Sequence, residues 1–205
     1  SGANAETDVA IVLFTFPDLI VGLLLGGGLS SSLIPYLVSL EKQKKKKFVR
    51  QLSIYIGLIF LILSLLISIK LDIFWNLLAP GIGEEVKRGA NNYFLIILFC
   101  LPLTSITGVL TAYLNSKSRF KIAASGNVLF NIGIIIGLLI NIPIFLRVTV
   151  GIIIGSLLRF FVQNNYANLF KNIRQESLFD ENLITKDFIK LFVFNFTFVT
   201  SIILV

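Results

Sequence analysis

The chain has 205 residues, and among them there is no histidine, no methionine and only one cysteine. Each absence excludes something. Without histidine there is no imidazole metal ligand and no Ser-His-Asp triad. Cys100 alone cannot close an intrachain disulfide, and its place in an apolar run reads as a buried, inert thiol. The lack of methionine even at position 1, the polar start SGANAETD and the stop within the apolar run SIILV read as an internal fragment of a longer protein. Charge is sparse too, at 14% of residues, where soluble domains carry about 25%. Acidic residues are the scarcer kind, 11 against 18 basic, for a net charge of +7.

What fills the chain is hydrophobic. Such residues make up 56%, and several apolar runs exceed the ~18 residues that mark a membrane-crossing helix. An all-α fold follows, a polytopic transmembrane helical bundle. Six apolar segments are expected, at about 8–40, 50–79, 91–114, 122–141, 147–169 and 188–205. The connections are too short for a soluble domain, so residues 1–205 read as part of a single membrane transporter domain.

In a soluble protein the basic balance would suggest nucleic acid, but no RNA- or DNA-binding pattern is present. The positive charges sit in short connections, where they set topology and contact anionic lipid headgroups. One set of loops holds Lys42, Lys44, Lys45, Lys46, Lys47, Arg50, Lys117, Arg119, Lys121, Lys171, Arg174, Lys186 and Lys190. The alternate loops hold Lys87, Arg88 and Arg147. The positive-inside rule makes the first set cytoplasmic and puts Ser1 outside. A complete protein that starts in the cytoplasm then needs an odd number of earlier spans, most simply one. The Lys44–Lys47 run reads as a topology anchor.

The first segment is the most unusual. At 1.5 Å per residue its 33 positions (8–40) would reach about 50 Å, well past a hydrocarbon core of about 30 Å. It is punctuated by Pro17, by the Gly26-Gly27-Gly28 triplet, by Ser30-Ser31-Ser32 and by Pro35. Such punctuation at membrane depth belongs against other helices or a polar cavity. Gly22 and Gly26 have GxxxG spacing, which suits close helix packing. Pro17, Gly22, the glycine triplet, Pro35 and Pro102 are therefore expected at packing or hinge positions.

Five polar residues are candidates for a substrate cavity. Asp8 caps the first helix, with Thr7 as the competing cap, or lines a cavity. Asp18 lies deeper, where a carboxylate needs a partner or water. Arg159 either snorkels to the headgroups or faces a cavity, where its guanidinium suits a phosphate group. Asn127 and Asn131, four apart on one helix face, bond across helices or line a cavity. Tyr55, Trp75, Tyr93 and Tyr113, mostly near span ends, read as interface aromatics.

Four local patterns, in order, resemble the MurJ/MviN family of lipid II flippases, within the group of multidrug, oligosaccharidyl-lipid and polysaccharide exporters. The first is ANAETDVAIVLFTFPDLI with the later GGGLSSSLIPYL. The second is Ala79-Pro80-Gly81. The third is Pro102 followed by GVLTAYLNSKSRF. The fourth runs from Gly126 and Asn127 to Asn131. They are spread over about 140 residues, and the likeness fades after about residue 170. The resemblance implies that the chain covers helices two to six and part of seven, the N-terminal part of a protein of about fourteen helices. Asp8 matches the family's aspartate at the start of helix two. Gly22 and Gly26 stand where the family carries an arginine and a glutamate, so Arg159 is the candidate replacement cation.

What the resemblance implies is a flippase for undecaprenyl-diphosphate-linked peptidoglycan precursor, acting as a monomer in the bacterial cytoplasmic (inner) membrane. Its partners are then a polyprenyl-diphosphate-linked saccharide and membrane lipids. No cofactor is expected beyond coupling to the membrane potential or an ion. The lost arginine and glutamate leave open an O-antigen or capsule precursor as cargo, or a non-transporting structural homologue. A cation-coupled drug exporter would need a mid-membrane carboxylate, for which Asp18 is the candidate. An enzyme is not expected, since no nucleophile–base pair or metal cluster is visible.

Overall fold

The computed structural model describes residues 5–24 and 30–170, and from the last stretch residues 184, 186, 188–190, 192 and 193. Among the described residues the fold is helical, with seven helices: α1 (Ala5–Leu24), α2 (Ser30–Ser39), α3 (Lys42–Ile69), α4 (Leu71–Leu78), α5 (Glu84–Ser116), α6 (Phe120–Leu139) and α7 (Ile144–Ala167). Four of them, α3 from Lys44, α5, α6 and α7, are long and apolar enough to cross a membrane. About six helices were expected, and the difference comes from two breaks. The first segment (8–40) holds two helices, α1 and α2, and the second (50–79) divides into α3 and α4 at Lys70, whose backbone is non-helical at φ −132° and ψ 51°. The sixth segment (188–205) falls mostly outside the described residues.

The lysine run is helical rather than looped. α3 reaches back to Lys42, so Lys44–Lys47 form part of its opening turns. Lysine is a good helix former and no glycine or proline interrupts the stretch. Its 28 residues give a rod of about 42 Å, long enough for the lysine turns to stand beyond the hydrocarbon while Phe48–Ile69 lies within it.

α5 is the central element and packs against α1, α2, α3, α6 and α7. Its 33 residues run unbroken through Pro102. Proline has no N–H, so the carbonyl four residues earlier, at Leu98, loses its helical donor. Ser64 of α3 supplies a replacement: its hydroxyl lies 2.7 Å from the Leu98 carbonyl oxygen and 2.7 Å from that of Phe60 in its own helix. A serine thus joins α3 to α5 at the backbone group that Pro102 leaves open. Ser64→Ala is expected to cost about 1–2 kcal/mol, because a carbonyl in an apolar interior loses its partner. The cost should largely vanish when Pro102→Ala restores the missing N–H. A double-mutant cycle on thermal stability measures this, and two simply additive effects would refute the link.

Two apolar clusters flank α5. One gathers Leu13, Phe16, Trp75, Phe94, Ile97 and Leu101 toward the end where α1 begins. The other gathers Leu33, Leu37, Phe48, Leu110, Tyr113 and Phe188 toward the lysine-rich end. Trp75 and Tyr113 are each 1% exposed, so they are core residues and not the interface aromatics expected from their places near span ends. Trp75 tilts against Phe94 and donates its indole N–H to Asn91 Oδ1 at 2.6 Å. Nearby, Lys87 is buried but satisfied, reaching Glu84 at 3.0 Å and Asn76 at 3.1 Å.

α6 and α7 form an antiparallel hairpin with the most extensive packing of any helix pair among the described residues. Each carries the same five residues, GIIIG, at 133–137 and at 151–155. A Cβ on Gly137 would lie 2.6 Å from Gly151 N and Cα, and one on Gly155 would lie 2.5 Å from Phe130 O. Backbone meets backbone along this seam, the close approach that small residues four apart permit.

Candidate functional site

Two of the five candidates, Asp18 and Arg159, lie toward the basic end of the bundle, where α1 and α7 finish, α5 turns into α6, and the lysine turns of α3 stand. Arg119 at the α5–α6 turn donates to the carbonyl of Tyr166 at 3.1 Å, tying that turn to the end of α7. Lys117 lies over the Tyr113 ring at 4.4 Å.

Arg159 sits about 12 Å inside this end, counted along α7 to Ala167. It is 1% exposed, so it does not snorkel to a headgroup layer. The residue that makes room for it is Gly126 of α6, where a Cβ would stand 3.1 Å from Arg159 Nε. One turn further along α7, Gln163 packs on the same glycine and donates its amide to Thr111 Oγ1 at 3.0 Å and to the Ala123 carbonyl at 3.2 Å. Arg159 Nε, Gln163 Oε1 and Ser156 Oγ are buried without a hydrogen-bond partner. On α5 the Thr104, Thr107 and Thr111 hydroxyls donate to carbonyls of their own helix, at Leu101, Thr104 and Thr107.

Asp18 of α1 lies near enough to Arg159 for mutual attraction. Among the described residues, no ion pair within 4.0 Å joins the two. Asp18 is exposed on the open side of α1, whereas Arg159 is sealed. The arrangement can hold an anionic group between helices once the seal opens, because a buried guanidinium with an unpaired N–H favours phosphate-type oxygens.

The other expected site residues are less concentrated. Asp8 lies in the first turn of α1, which starts at Ala5, so neither Asp8 nor Thr7 is a cap; its charge still suits the positive end of the helix dipole. Asn127 and Asn131 are exposed on α6. Asn131 lines an apolar groove of about 410 Å³ between α1, α6 and the start of α7, with Phe14, Ile134 and Val148 among its walls. Phe14 also stacks on Phe130, with centroids 6.5 Å apart. Gly22 has nothing within 4 Å of where its Cβ would be, and the glycines that meet backbone among the described residues lie on α6 and α7 instead. Pro17 and Pro102 lie inside α1 and α5, and Pro35 lies inside α2. Gly26, Gly27 and Gly28 lie outside the described residues. Gln163, Thr111 and Gly126 of the Arg159 setting were not among the expected site residues.

Apolar helices that enclose an arginine, a glutamine and a row of hydroxyls define a multi-pass membrane protein with a transporter-type interior. Comparison with known proteins makes this specific. Residues 1–204 match the family described as "Lipid II flippase MurJ", and the chain belongs to that family. The match extends beyond residue 170, where the recognisable motifs stop. A "Probable lipid II flippase MurJ" from Buchnera aphidicola subsp. Schizaphis graminum is 27% identical over 144 residues, 66% of this chain and 27% of the relative. One from Aquifex aeolicus is 25% identical over 200 residues, 94% of this chain and 39% of the relative. A solved structure, "Lipid II flippase MurJ, inward closed conformation", superposes with a TM-score of 0.75 at 25% identity, over 97% of this chain and 42% of that one. The chain therefore spans between about a quarter and two-fifths of the length of these relatives.

Proposed function

We propose that the protein containing this chain moves an undecaprenyl-diphosphate-linked peptidoglycan precursor, lipid II, across the bacterial cytoplasmic membrane. The observation that carries the reading is the sealed, unpaired Arg159 beside Asp18, in a chain of this family. Arg159 supplies the cation for the diphosphate that position 22 lacks. In the structure its guanidinium is enclosed, which corresponds to a resting state in which the headgroup site is shut. Rocking of the helical bundles exposes it, and the polyprenyl tail stays in the bilayer. The chain's part in this is positioning and charge, without covalent chemistry, and the protein acts as a monomer coupled to the membrane potential or to an ion.

The open surface at Gly22 favours a second reading, a flippase for a different lipid-linked saccharide such as an O-antigen or capsule precursor. The family's arginine position is vacant of charge there, and no neighbour fills the space. The full-length gene, expressed in cells depleted of their own lipid II flippase, decides between them. Restored growth is the expected result. Normal membrane insertion without growth would overturn the lipid II assignment and leave the second cargo class, or a scaffold that transports nothing.

A further inference from the structure

A concavity of about 670 Å³ opens where α7 ends, at the basic end of the bundle. Its walls include Phe161, Asn164, Asn165, Tyr166, Asn168 and Phe170. Phe161, Asn165 and Asn168 fall at i, i+4 and i+7, on the face of α7 opposite the buried Arg159 and Gln163, and all three are exposed. The end of the helix shapes the wall. Asn168 takes the left-handed region, at φ 54° and ψ 35°, which asparagine tolerates at a helix end. The chain turns there, and Phe170 folds against Phe160 with ring centroids 6.2 Å apart. Phe160 in turn meets Phe161 edge to face at 5.8 Å.

These side chains are neutral: amides, a phenol and apolar groups. Asn164 Oδ1 is buried with no hydrogen-bond partner, so one wall presents an acceptor that calls for a donor. The Asn165 and Asn168 amides can each give and take hydrogen bonds. Phe161 and Tyr166 are 62% and 50% exposed and offer ring faces. A fully ionised phosphate has no proton to donate to Asn164, and it would lie at the negative end of the helix dipole. An acyl chain would cover the rings but bury the amides unpaired, which is costly. A belt of interface aromatics accounts for rings at a span end but asks for no amides. A pyranose suits both kinds of wall: its hydroxyls pair with amides, and its C–H face stacks on an aromatic ring. The volume falls in the range of small-molecule sites, roughly 300–1,000 Å³.

We propose that this concavity binds a short, neutral saccharide headgroup, as a docking site on the outside of α7 that is separate from the Arg159 interior. A lipid-linked sugar reaching the basic end meets it before the bundle opens. Arg119, which donates to the Tyr166 carbonyl at 3.1 Å, places a cation beside the concavity for the phosphate that follows the sugar. The proposal rests on the reading of the protein as a carrier of a lipid-linked saccharide, and it holds for any such cargo.

Saturation-transfer NMR with methyl β-chitobioside and the full-length protein in nanodiscs tests the proposal. The disaccharide should bind saturably. Asn165→Ala and Phe161→Ala should each weaken binding about five- to tenfold, the effect of a lost hydrogen bond or ring contact. Neither should move the thermal midpoint, since both side chains are exposed. Phe120→Ala removes an exposed ring on α6 at the same end and should leave binding unchanged. Absence of saturable binding, an equal loss in Phe120→Ala, or tighter binding of glycerol 1-phosphate, the headgroup of an anionic phospholipid, would overturn the proposal. In vesicles, Asn165→Ala should raise the lipid II concentration for half-maximal flipping about fivefold and leave the maximal rate alone. Parental flipping by a protein that binds no disaccharide overturns the docking site only. Disaccharide binding without flipping of any lipid-linked saccharide keeps the site and overturns the carrier reading.

Discussion

Gly133→Ala is expected to lower the thermal midpoint of the bundle by roughly 6–12 °C. A Cβ at Gly133 meets Gly155 N and Cα and lies 2.9 Å from Gly151 O. All three are backbone atoms, so no rotamer can move out of the way and the two helices must separate. Overpacking of this kind costs about 3 kcal/mol or more when the backbone has to shift. For a unit of this size each kcal/mol moves the midpoint by about 2–4 °C. Gly22→Ala is the matched control. Nothing lies within 4 Å of its Cβ, so the variant should be neutral or slightly more stable, as alanine favours helix by about 1 kcal/mol. Thermal shift of the purified protein in detergent reads both, and equal tolerance at the two positions would show that α6 and α7 do not meet along glycine.

Arg159→Ala is expected to reduce transport of a diphosphate-linked lipid about ten- to a hundred-fold. Hydrogen bonds to a charged group contribute about 1.5–3 kcal/mol, and each 1.4 kcal/mol is a factor of ten. Arg159→Lys should fall between, since an ammonium keeps the charge and loses the planar fork. The thermal midpoint of each variant separates this from unfolding: a lysine variant as stable as the parent but slower in transport is the signature of a phosphate contact. Flipping that persists at the parental rate in Arg159→Ala would remove Arg159 from the site and leave it a structural residue.

Much of the fold was legible because bilayers impose length and hydropathy on every span. The apolar runs around 91–114, 122–141 and 147–169 carry α5, α6 and α7, with ends a few residues away. The breaks at Lys70 and between α1 and α2 were harder to read, since a single charge or a glycine stretch inside an apolar run does not say whether the helix ends. The lysine run suggests a loop because charge marks an aqueous position, yet charge does not prevent a helix from continuing into water. Of the site, Asp18 and Arg159 stand out in the sequence as ionisable groups at membrane depth. Their setting could not. Gln163 meets Thr111 across 52 positions of sequence, and only the packing of α5 on α7 brings them together. The α6–α7 seam is written in the sequence as GIIIG twice over, yet small-residue spacing alone does not say which helix faces meet, and Gly22 and Gly26 show the same spacing.

That repeated motif bears on how the protein is made. Four residues separate α6 from α7. As the second helix leaves the ribosome, its glycine face meets the first at the high effective concentration that a short tether provides. The hairpin can therefore close before later helices are synthesised, and before either face, identical in sequence to its partner, pairs with the wrong one. A lengthened 140–143 connection would slow this closure and leave two sticky small-residue surfaces exposed to the insertion machinery, so nascent chains rather than finished ones would bear the damage.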